Sequence, residues 1–316
     1  MKKIGTYLVF FAITVVLISC KKEDYKERDV YVVGNNDGGI AIWKNGEVQN
    51  LTDGNSWAIA SSIFVSEGNV YVAGFNLGES VGIILKNGMA QHLSDGSAIS
   101  LYVSGNDVYV AGYDWDEENI FTAKLWKNGI TQNLTDGSIT SSASSVFVSG
   151  SDVYVAGHIG HNAVLWKNGV AQKFTEGKPW ANASSVYVSG SDVYVAGYEE
   201  NAQGKGFATI WKNGEAQYLP NGDKSAVARS VYVSGKDVYV AGWGDWDDEF
   251  NHVAKLWKNG KVQNLANNGY AHSVFVFGKD VYATGEVGNQ AVLWKNGVRE
   301  NLTNGRYAVS VFVVEK

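Results

Sequence analysis

Disulfide bonds, prolines within apolar runs and basic tracts are all missing from this chain of 316 residues. Cys20 is the only cysteine, so the fold is held together without an internal disulfide. The two prolines, Pro179 and Pro220, both lie between apolar segments, where they remove no donor from a strand. Acidic residues outnumber basic ones, 32 to 26, and no run of lysine or arginine occurs. This balance argues against nucleic acid or an anionic membrane surface as the main partner.

Repetition is what the chain has in abundance. A stretch close to Ser-Val-Phe-Val-Ser-Gly-x-Asp-Val-Tyr-Val-Ala-Gly, followed by Ala-x-Leu-Trp-Lys-Asn-Gly, recurs along it. A period of about 40 residues built from short apolar alternations is typical of propeller blades or of a solenoid. The seven Asp/Asn-Val-Tyr segments, spaced 38 to 45 residues apart, begin at Asp29, Asn69, Asp107, Asp152, Asp192, Asp237 and Asp280.

Each unit contains four short apolar runs, which we name A to D in chain order. In the fourth unit they are residues 145–149, 152–157, 163–166 and 170–174, rich in Val, Tyr, Phe, Trp and Ile. Alternation of such residues with small polar ones is typical of β-strands. Asn-Gly separates run C from run D in every unit, which is the strongest short-range signal for a β-hairpin. No segment has a helical pattern, so we predict an all-β fold with four antiparallel strands per unit.

The two ends of the repeat region decide between an open and a closed arrangement. The first complete run is a B run at residues 29–32, and the last is a lone A run at residues 310–313. An open solenoid needs polar capping units, and neither end has one. A closed ring explains both ends, because the last run completes the unit that the first one begins. We predict that residues 29–316 form a seven-bladed β-propeller closed by the C-terminal strand.

The N-terminus has the pattern of an export signal. Lys2 and Lys3 precede an apolar stretch at residues 7–18 that is short for a membrane span. Residues 17–20, Leu-Ile-Ser-Cys, resemble a bacterial lipobox, which implies that Cys20 is lipidated and becomes the first residue of the mature protein. Residues 1–19 are then a lipoprotein signal peptide. Its removal takes away two lysines and no acidic residue, so the mature chain carries a formal charge of −8.

The segment after the lipidated cysteine suggests where the protein resides. Residues 20–28 form a charged tether, and a lysine followed by acidic residues resembles the surface-export signal of Bacteroidetes lipoproteins. The resemblance implies an outer-membrane protein, anchored by its lipid and exposed at the cell surface; an anchor facing the periplasm is the alternative. The blade length resembles that of WD40 and kelch propellers, but their motifs do not match. The chain as a whole resembles bacterial lipoprotein propellers, and we expect a monomer.

Constant and variable segments alternate in a way that separates two faces. The A–B and C–D turns are short and similar in every unit, whereas the B–C and D–A connections differ in length and chemistry. Successive antiparallel strands reverse direction, so all turns of one kind lie on one face. We call these the constant face and the variable face, and we expect ligand recognition on the variable one. Residues repeated in every unit, including the tryptophan before Lys-Asn-Gly, indicate packing.

Aromatic residues outside the packing positions mark the variable face. Two acidic segments of the B–C connections, residues 113–119 and 245–251, combine tryptophan with carboxylates, among them Asp116 and Asp247. Tryptophan faces beside carboxylates suit sugar or peptide recognition, and the same carboxylates could hold Ca²⁺, which takes six to eight oxygen ligands. A solvated acidic loop with its tryptophan folded back is the third interpretation. The five tryptophans predicted to lie in variable loops are Trp57, Trp115, Trp180, Trp243 and Trp246.

A second group of candidates lies just before or at the start of the A runs. Arg229 and His272 interrupt a position that is otherwise Ser, Ile or Val. We predict that this group converges above the central opening of the ring, where a ligand would bind. Besides Arg229 and His272, the group comprises Trp57, Trp180, Tyr270 and Tyr307.

These patterns favour a binding protein over an enzyme. The five histidines show no metal-ligand spacing, and no serine or cysteine nucleophile has an evident base. We predict a non-enzymatic module that engages a glycan or a protein through the variable face, with no catalytic residue or resident cofactor. Two alternatives stay open at this point: a polysaccharide hydrolase or lyase with its site at the central opening, for which Asp116 and Glu118 could act as an acidic pair, and a passive subunit of an outer-membrane complex.

Overall fold

A computed structural model describes residues 27–52, 58–93, 96–177, 179–222, 224–246 and 252–316. The signal peptide, Cys20 and most of the tether lie outside these ranges. Within them the chain forms 28 β-strands and no helix. Consequently, none of the described segments is a long apolar helix of the kind that could cross a membrane.

The strands fall into four classes according to their place in the blade. The innermost A strands are β4 (Ala58–Ser66), β8 (Ser97–Ser104), β12 (Ser141–Ser149), β16 (Ala181–Ser189), β20 (Ser225–Ser234), β24 (Gly269–Phe277) and β28 (Gly305–Glu315). The B strands are β1 (Arg28–Asn36), β5 (Asn69–Asn76), β9 (Asp107–Trp115), β13 (Asp152–Ile159), β17 (Asp192–Glu200), β21 (Asp237–Trp246) and β25 (Asp280–Val287).

The two outer classes are shorter. The C strands are β2 (Gly39–Lys44), β6 (Val81–Lys86), β10 (Phe121–Lys127), β14 (Asn162–Lys167), β18 (Gly206–Lys212), β22 (Val253–Lys258) and β26 (Gln290–Lys295). The outermost D strands are β3 (Glu47–Asn50), β7 (Met89–His92), β11 (Ile130–Asn133), β15 (Val170–Lys173), β19 (Glu215–Tyr218), β23 (Lys261–Asn267) and β27 (Val298–Asn301).

The C-terminal strand closes the ring. Each of the seven sheets has four antiparallel strands in the order A-B-C-D, and the first sheet reads β28-β1-β2-β3. In that sheet Val311 pairs with Val32 and Phe312 with Tyr31, so the last strand of the chain lies beside the first. The fold is therefore a seven-bladed β-propeller, and both the strand count and the mode of closure predicted from the sequence are confirmed.

The repeated Asn-Gly pairs form the predicted hairpins. In all seven C–D turns the asparagine has a φ of 50–53° and the glycine a φ of 75–88°. Positive φ at both central residues is the type I′ turn, whose twist matches that of the strands it joins. Asparagine is the side-chain-bearing residue that best tolerates this conformation, which explains why it recurs at this position in every blade.

A polar cluster on the constant face explains why Asp-Val-Tyr and Lys-Asn-Gly recur together. In the fourth blade Asn168 Nδ2 donates a hydrogen bond to Asp152 Oδ1 at 2.9 Å, and Lys167 Nζ lies 2.8 Å from Asp152 Oδ2. Lys167 also lies over the ring of Tyr154, 5.3 Å from its centroid. The hydrogen bond from Lys167 holds the pKa of Asp152 below its usual value. The cluster thus fixes the start of strand B to the end of strand C.

Tryptophan before Lys-Asn-Gly fills the space between blades, as predicted. These six side chains are 0–1% exposed, and Leu85 occupies the same place in the second blade. Each apolar cluster joins two neighbouring blades; one of them unites Tyr154 and Leu165 of the fourth blade with Val186 and Trp211 of the fifth. Burial of such large side chains between sheets is the main driving force holding the ring together. The six are Trp43, Trp126, Trp166, Trp211, Trp257 and Trp294.

Every A strand is interrupted by a β-bulge next to a glycine of strand B. In the fourth blade Ala143 pairs with Gly157 and Ser145 with Ala156, so Ser144 is left without a partner. The bulge brings the backbone of Ser142 so close that a Cβ on Gly157 would overlap its carbonyl oxygen. The corresponding glycine of each of the other six blades faces an A-strand carbonyl in the same way. The glycine that ends Val-Ala-Gly is therefore required by the bulge.

We expect Gly157→Ala to destabilise the protein by about 1–3 kcal/mol, because the methyl group would meet backbone that cannot move without breaking the bulge. Gly206→Ala is the matched control, since the nearest atom to a Cβ there is 3.6 Å away and its φ is not positive. Thermal and denaturant unfolding of both variants measures the difference. Equal stability of the two variants would contradict this account of the bulge.

Candidate functional site

The bulged residues line a cavity on the ring axis, which we call the central cavity. It has a volume of about 590 Å³ and opens towards the variable face. Its wall also includes Asn182, Tyr198, Glu286 and Tyr307. Ligand pockets in proteins have about this size, roughly 300–1,000 Å³. Each blade contributes its bulged residue to the wall, and the seven are Ser61, Ile99, Ser144, Ser184, Arg229, His272 and Val309.

Below the cavity, seven aromatic side chains form a continuous ring that we call the aromatic collar. Each lies three residues after the bulge, which places it roughly 10 Å closer to the constant face. Neighbouring ring centroids are 4.6–5.0 Å apart, and the planes are tilted by 48–54°. The collar narrows the channel on the side of the constant face, so the cavity is accessible from the variable face. Its members are Phe64, Tyr102, Phe147, Tyr187, Tyr232, Phe275 and Phe312.

Between the bulge and the collar, serine hydroxyls join one blade to the next. The backbone N–H of Val186 in β16 donates to Ser145 Oγ of β12 at 3.2 Å, and Val231 in β20 donates to Ser185 Oγ at the same distance. Four further blade junctions show the same bond. These bonds satisfy amides on the inner edge of the A strands, which have no neighbouring strand on that side within their own sheet. They also fix the height of each A strand relative to its neighbour, which makes the cavity wall rigid.

Arg229 supplies the positive charge of the cavity. Its Cζ lies 5.3 Å from the centroid of the Trp243 ring, a cation–π contact that orients the guanidinium. No carboxylate of the described residues forms an ion pair with it. The surrounding protein partly desolvates the guanidinium and lowers its pKa, but the side chain still reaches solvent through the cavity. Arginine stays protonated at pH 7, so the cavity contains a cation for which the described residues provide no ion-pair partner.

Glu286 carries the negative charge and has its own partners. Its Oε1 lies 3.8 Å from Nε2 of His272, and the ring of His272 stacks on that of Tyr270, with 6.0 Å between centroids and 5° between planes. Burial lowers the pKa of His272, which favours the neutral imidazole at pH 7. Burial also raises the pKa of Tyr307, so its hydroxyl stays protonated. The charged groups therefore occupy one side of the cavity.

The opposite side of the central cavity is uncharged. Blades two to five place Ser61, Ile99, Ser144 and Ser184 there. Asn182 adds an amide whose Nδ2 lies 3.0 Å from Nδ1 of His158. Hydroxyl and amide groups on a rigid wall can donate and accept hydrogen bonds to a polar ligand. The cavity thus combines one ionic anchor with a hydrogen-bonding wall.

Of the residues predicted to surround the central opening, some line the central cavity and others pack outside it. Arg229, His272 and Tyr307 line the central cavity. Trp180 packs outside it against His161, with 4.9 Å between ring centroids.

Tyr270 also lies behind the cavity wall, where its ring is 5.1 Å from that of Trp243 and 4.5 Å from that of His252. Trp57 and Asp247 fall outside the described residues, as does the side chain of Trp246. A ligand-binding role for any of these residues stays a prediction.

Trp115, Trp243 and Trp246 lie in strands, so the prediction that they belong to loops is wrong. β9 continues to Trp115 and β21 continues through Trp243, because the B strands of these blades extend beyond the bulge towards the variable face. Trp115 forms a separate aromatic pocket of about 300 Å³, with its ring 5.8 Å from that of Phe75 and 6.2 Å from that of Tyr113. Phe121 completes this pocket, which lies between the second and third blades.

Asp116 has a structural role in its loop. Its Oδ1 accepts hydrogen bonds from the backbone N–H groups of Glu118 and Ile120, both at 2.9 Å, and so holds the turn between β9 and β10. In the parts of the chain that the structure describes, no three His, Cys, Asp or Glu side chains cluster in a way that could hold a metal ion. Ca²⁺ binding by the acidic segments therefore stays a prediction.

The sequence interpretation missed Tyr198 and Glu286. Each directly follows the strand-B glycine that faces the bulge, Gly197 for Tyr198 and Gly285 for Glu286. This position holds a different residue in most blades: Asn35, Phe75, Tyr113, His158, Tyr198, Trp243 and Glu286. A comparison of the repeats at this position, one residue beyond the constant glycine, could have identified it as a second variable site.

Comparisons with known proteins support the fold. No protein-family model matches this chain, and no curated protein matches it. Among solved structures, the chain is similar to the β-propeller domain of the Trilobed protease from Pyrococcus furiosus, with a TM-score of 0.52 and 14% identity, covering 88% of this chain and 94% of that one. YjhT aligns with a TM-score of 0.46 and 11% identity, covering 80% and 96%. At 14% identity the first similarity indicates a shared fold alone.

We expect Ser144→Leu to leave the thermal stability nearly unchanged, because a bulged side chain projects into the open cavity. Ala143→Leu at the neighbouring position should destabilise the protein by about 1–3 kcal/mol, since Ala143 is fully buried between blades. Thermal unfolding of the two variants compares the positions directly. If Ser144→Leu were the more damaging substitution, the bulge would not direct its side chain into the cavity.

Proposed function

We propose that this protein is a non-enzymatic binding module that engages a glycan or a protein through its variable face. The observation that carries this proposal is the set of bulged residues around the central cavity. The alanine before the bulge and the serine after it are the same in all seven blades, whereas the bulged residue itself is Ser, Ile, Arg, His or Val. A constant frame that presents different side chains to one cavity is the arrangement expected of a recognition site.

The proposal extends to the anchoring of the protein. The lipobox-like segment supports lipidation at Cys20, and the tether that follows supports display on the outer membrane with the propeller at the cell surface. Such a placement attaches the propeller to the membrane through the short charged tether and exposes its variable face to ligands outside the cell. Ca²⁺ and other cofactors play no part in this proposal.

A polysaccharide lyase or hydrolase is the second candidate, and one observation favours it. Arg229, His272, Glu286 and Tyr307 line the same cavity, so a cation and groups able to move a proton are close together. Glu286 is the one carboxylate among the described residues of the cavity wall. Hydrolysis by two opposed carboxylates therefore has no second group there, which leaves elimination as the better-supported reaction. Nothing specific favours a passive subunit of an outer-membrane complex.

The binding proposal is tested with the purified protein on a glycan array and in pull-downs of surface proteins. We expect a ligand whose binding is lost in Ser184→Trp, because the indole would fill the central cavity. Trp115→Ala should weaken binding as well if the ligand extends to the aromatic pocket. Ile130→Ala is the control, since Ile130 is 76% exposed on strand D beside a constant-face turn.

Three outcomes are informative. Retained binding in Ser184→Trp and in Trp115→Ala would contradict recognition through the variable face. Loss of binding in Ile130→Ala would place the site on the constant face. Release of unsaturated products from a polysaccharide, abolished in His272→Ala, would favour the lyase.

The anchoring proposal is tested by Cys20→Ser. We expect the wild-type chain in the membrane fraction, carrying a label from radioactive palmitate, and the variant without label and released from the outer membrane. Protease added to intact cells should remove the wild-type propeller if it faces outwards. Membrane association that survives Cys20→Ser without label would contradict a lipid anchor at this residue.

A further inference from the structure

We infer that the ligand of the central cavity is a saccharide carrying a carboxylate, such as a uronic acid residue, with the carboxylate bound by Arg229. This inference rests on the proposed binding function and names the ligand class. Three features of the cavity support it: the charge state of Arg229, the composition of the facing wall, and the position of Glu286.

The position and the charge of the Arg229 guanidinium suit the binding of an anion. Its guanidinium is held by the Trp243 face at 5.3 Å and has no ion-pair partner among the described residues. Arginine binds carboxylates through two parallel N–H···O bonds in a planar fork. Stacking on Trp243 fixes the plane of this fork before the ligand arrives, which reduces the entropy lost on binding. A cation that no carboxylate of the described residues pairs with is a suitable binding group for an anionic ligand.

The opposite wall suits the rest of a sugar. Ser61, Ser144 and Ser184 place three hydroxyls around the cavity, and Asn182 adds an amide. Ser184 Oγ lies 3.4 Å from Asn182 Oδ1, so these two groups support one another in position. A sugar ring presents several hydroxyls that donate and accept hydrogen bonds, and such a wall satisfies them. An apolar ligand would leave these polar groups without partners.

Glu286 favours a ligand whose group bound at Arg229 carries one negative charge rather than two. It lines the same cavity as Arg229 and His272, and its Oε1 lies 3.8 Å from Nε2 of His272. One cation and one anion lie on the same side of the cavity, so its described wall has no excess positive charge to neutralise a phosphate with two negative charges. A uronic acid residue brings a single negative charge to Arg229, and its hydroxyl groups can donate hydrogen bonds to the carboxylate of Glu286.

Calorimetry of the purified full-length chain tests the inference with three probes. Digalacturonate carries the carboxylates, its dimethyl ester has the same rings without charge, and a short peptide with a free C-terminus offers a carboxylate without a sugar. We expect digalacturonate to bind and the ester and the peptide to bind at least about tenfold more weakly. Binding of digalacturonate should also weaken as the salt concentration rises.

Substitution of the arginine tests the residue. Arg229→Gln should lower the affinity for digalacturonate about 10- to 100-fold, and Arg229→Lys should restore part of it. Arg299→Gln is the matched control, because Arg299 lies on the outermost strand β27 and is exposed. Thermal unfolding of all three variants checks that they are folded, and the comparison of acid with ester in the wild type does not depend on any variant.

The possible results separate this inference from the function it rests on. Equal affinity for acid and ester, or an unchanged affinity in Arg229→Gln, would overturn the inference. If a neutral glycan or the peptide bound instead and Ser184→Trp abolished that binding, the binding function would stand and the uronate would be excluded. If no glycan or protein bound at the variable face, both would fail.

Discussion

The bulge in each innermost strand, packed against a glycine of the next strand, is the constraint on which the site depends. The extra residue turns one side chain per blade towards the axis without disturbing the alanine and serine on either side of it. Close approach of the two backbones is possible because the facing residue has no Cβ. The position that faces the bulge is therefore glycine in every blade, whereas the type of the bulged residue can differ from blade to blade. The cavity wall is thus formed by seven side chains that can vary independently.

Closure of the ring makes the cavity rigid. β28 pairs with β1, so the first blade is shared by the two ends of the chain, and Phe312 joins the aromatic collar between Phe64 and Phe275. Without that strand the collar would be open and the bulged residue Val309 would be missing from the cavity wall. The stability of the ring and the geometry of the cavity thus depend on the same strand pairing. The bulged side chains, which differ between blades, contribute little to the stability or to the geometry. This independence allows the wall to change without loss of the fold.

The parts of the fold that could be predicted from sequence are those set by local chemistry and by the order of the repeated runs along the chain. Asn-Gly determines the type of its turn, because both residues adopt left-handed dihedrals. The tryptophan that recurs before Lys-Asn-Gly indicates a buried position in each blade that contains it. The strand extensions at Trp115 and Trp243 were missed, because nothing local marks where a strand ends when its partner also extends. Glu286 was missed for a different reason. It reaches the cavity only because seven blades bring distant residues to one axis, and that convergence depends on the bulge, which leaves no signature in a single repeat.

A crystal structure of the protein grown with digalacturonate tests the central claim most directly. The account predicts electron density for a sugar ring in the central cavity, above the collar, with its carboxylate paired to the Arg229 guanidinium and its hydroxyls on Ser144, Ser184 and Asn182. It also predicts that the seven bulged side chains face the axis. Density confined to the Trp115 pocket or to the constant face, with the bulged side chains turned between the blades, would contradict the account.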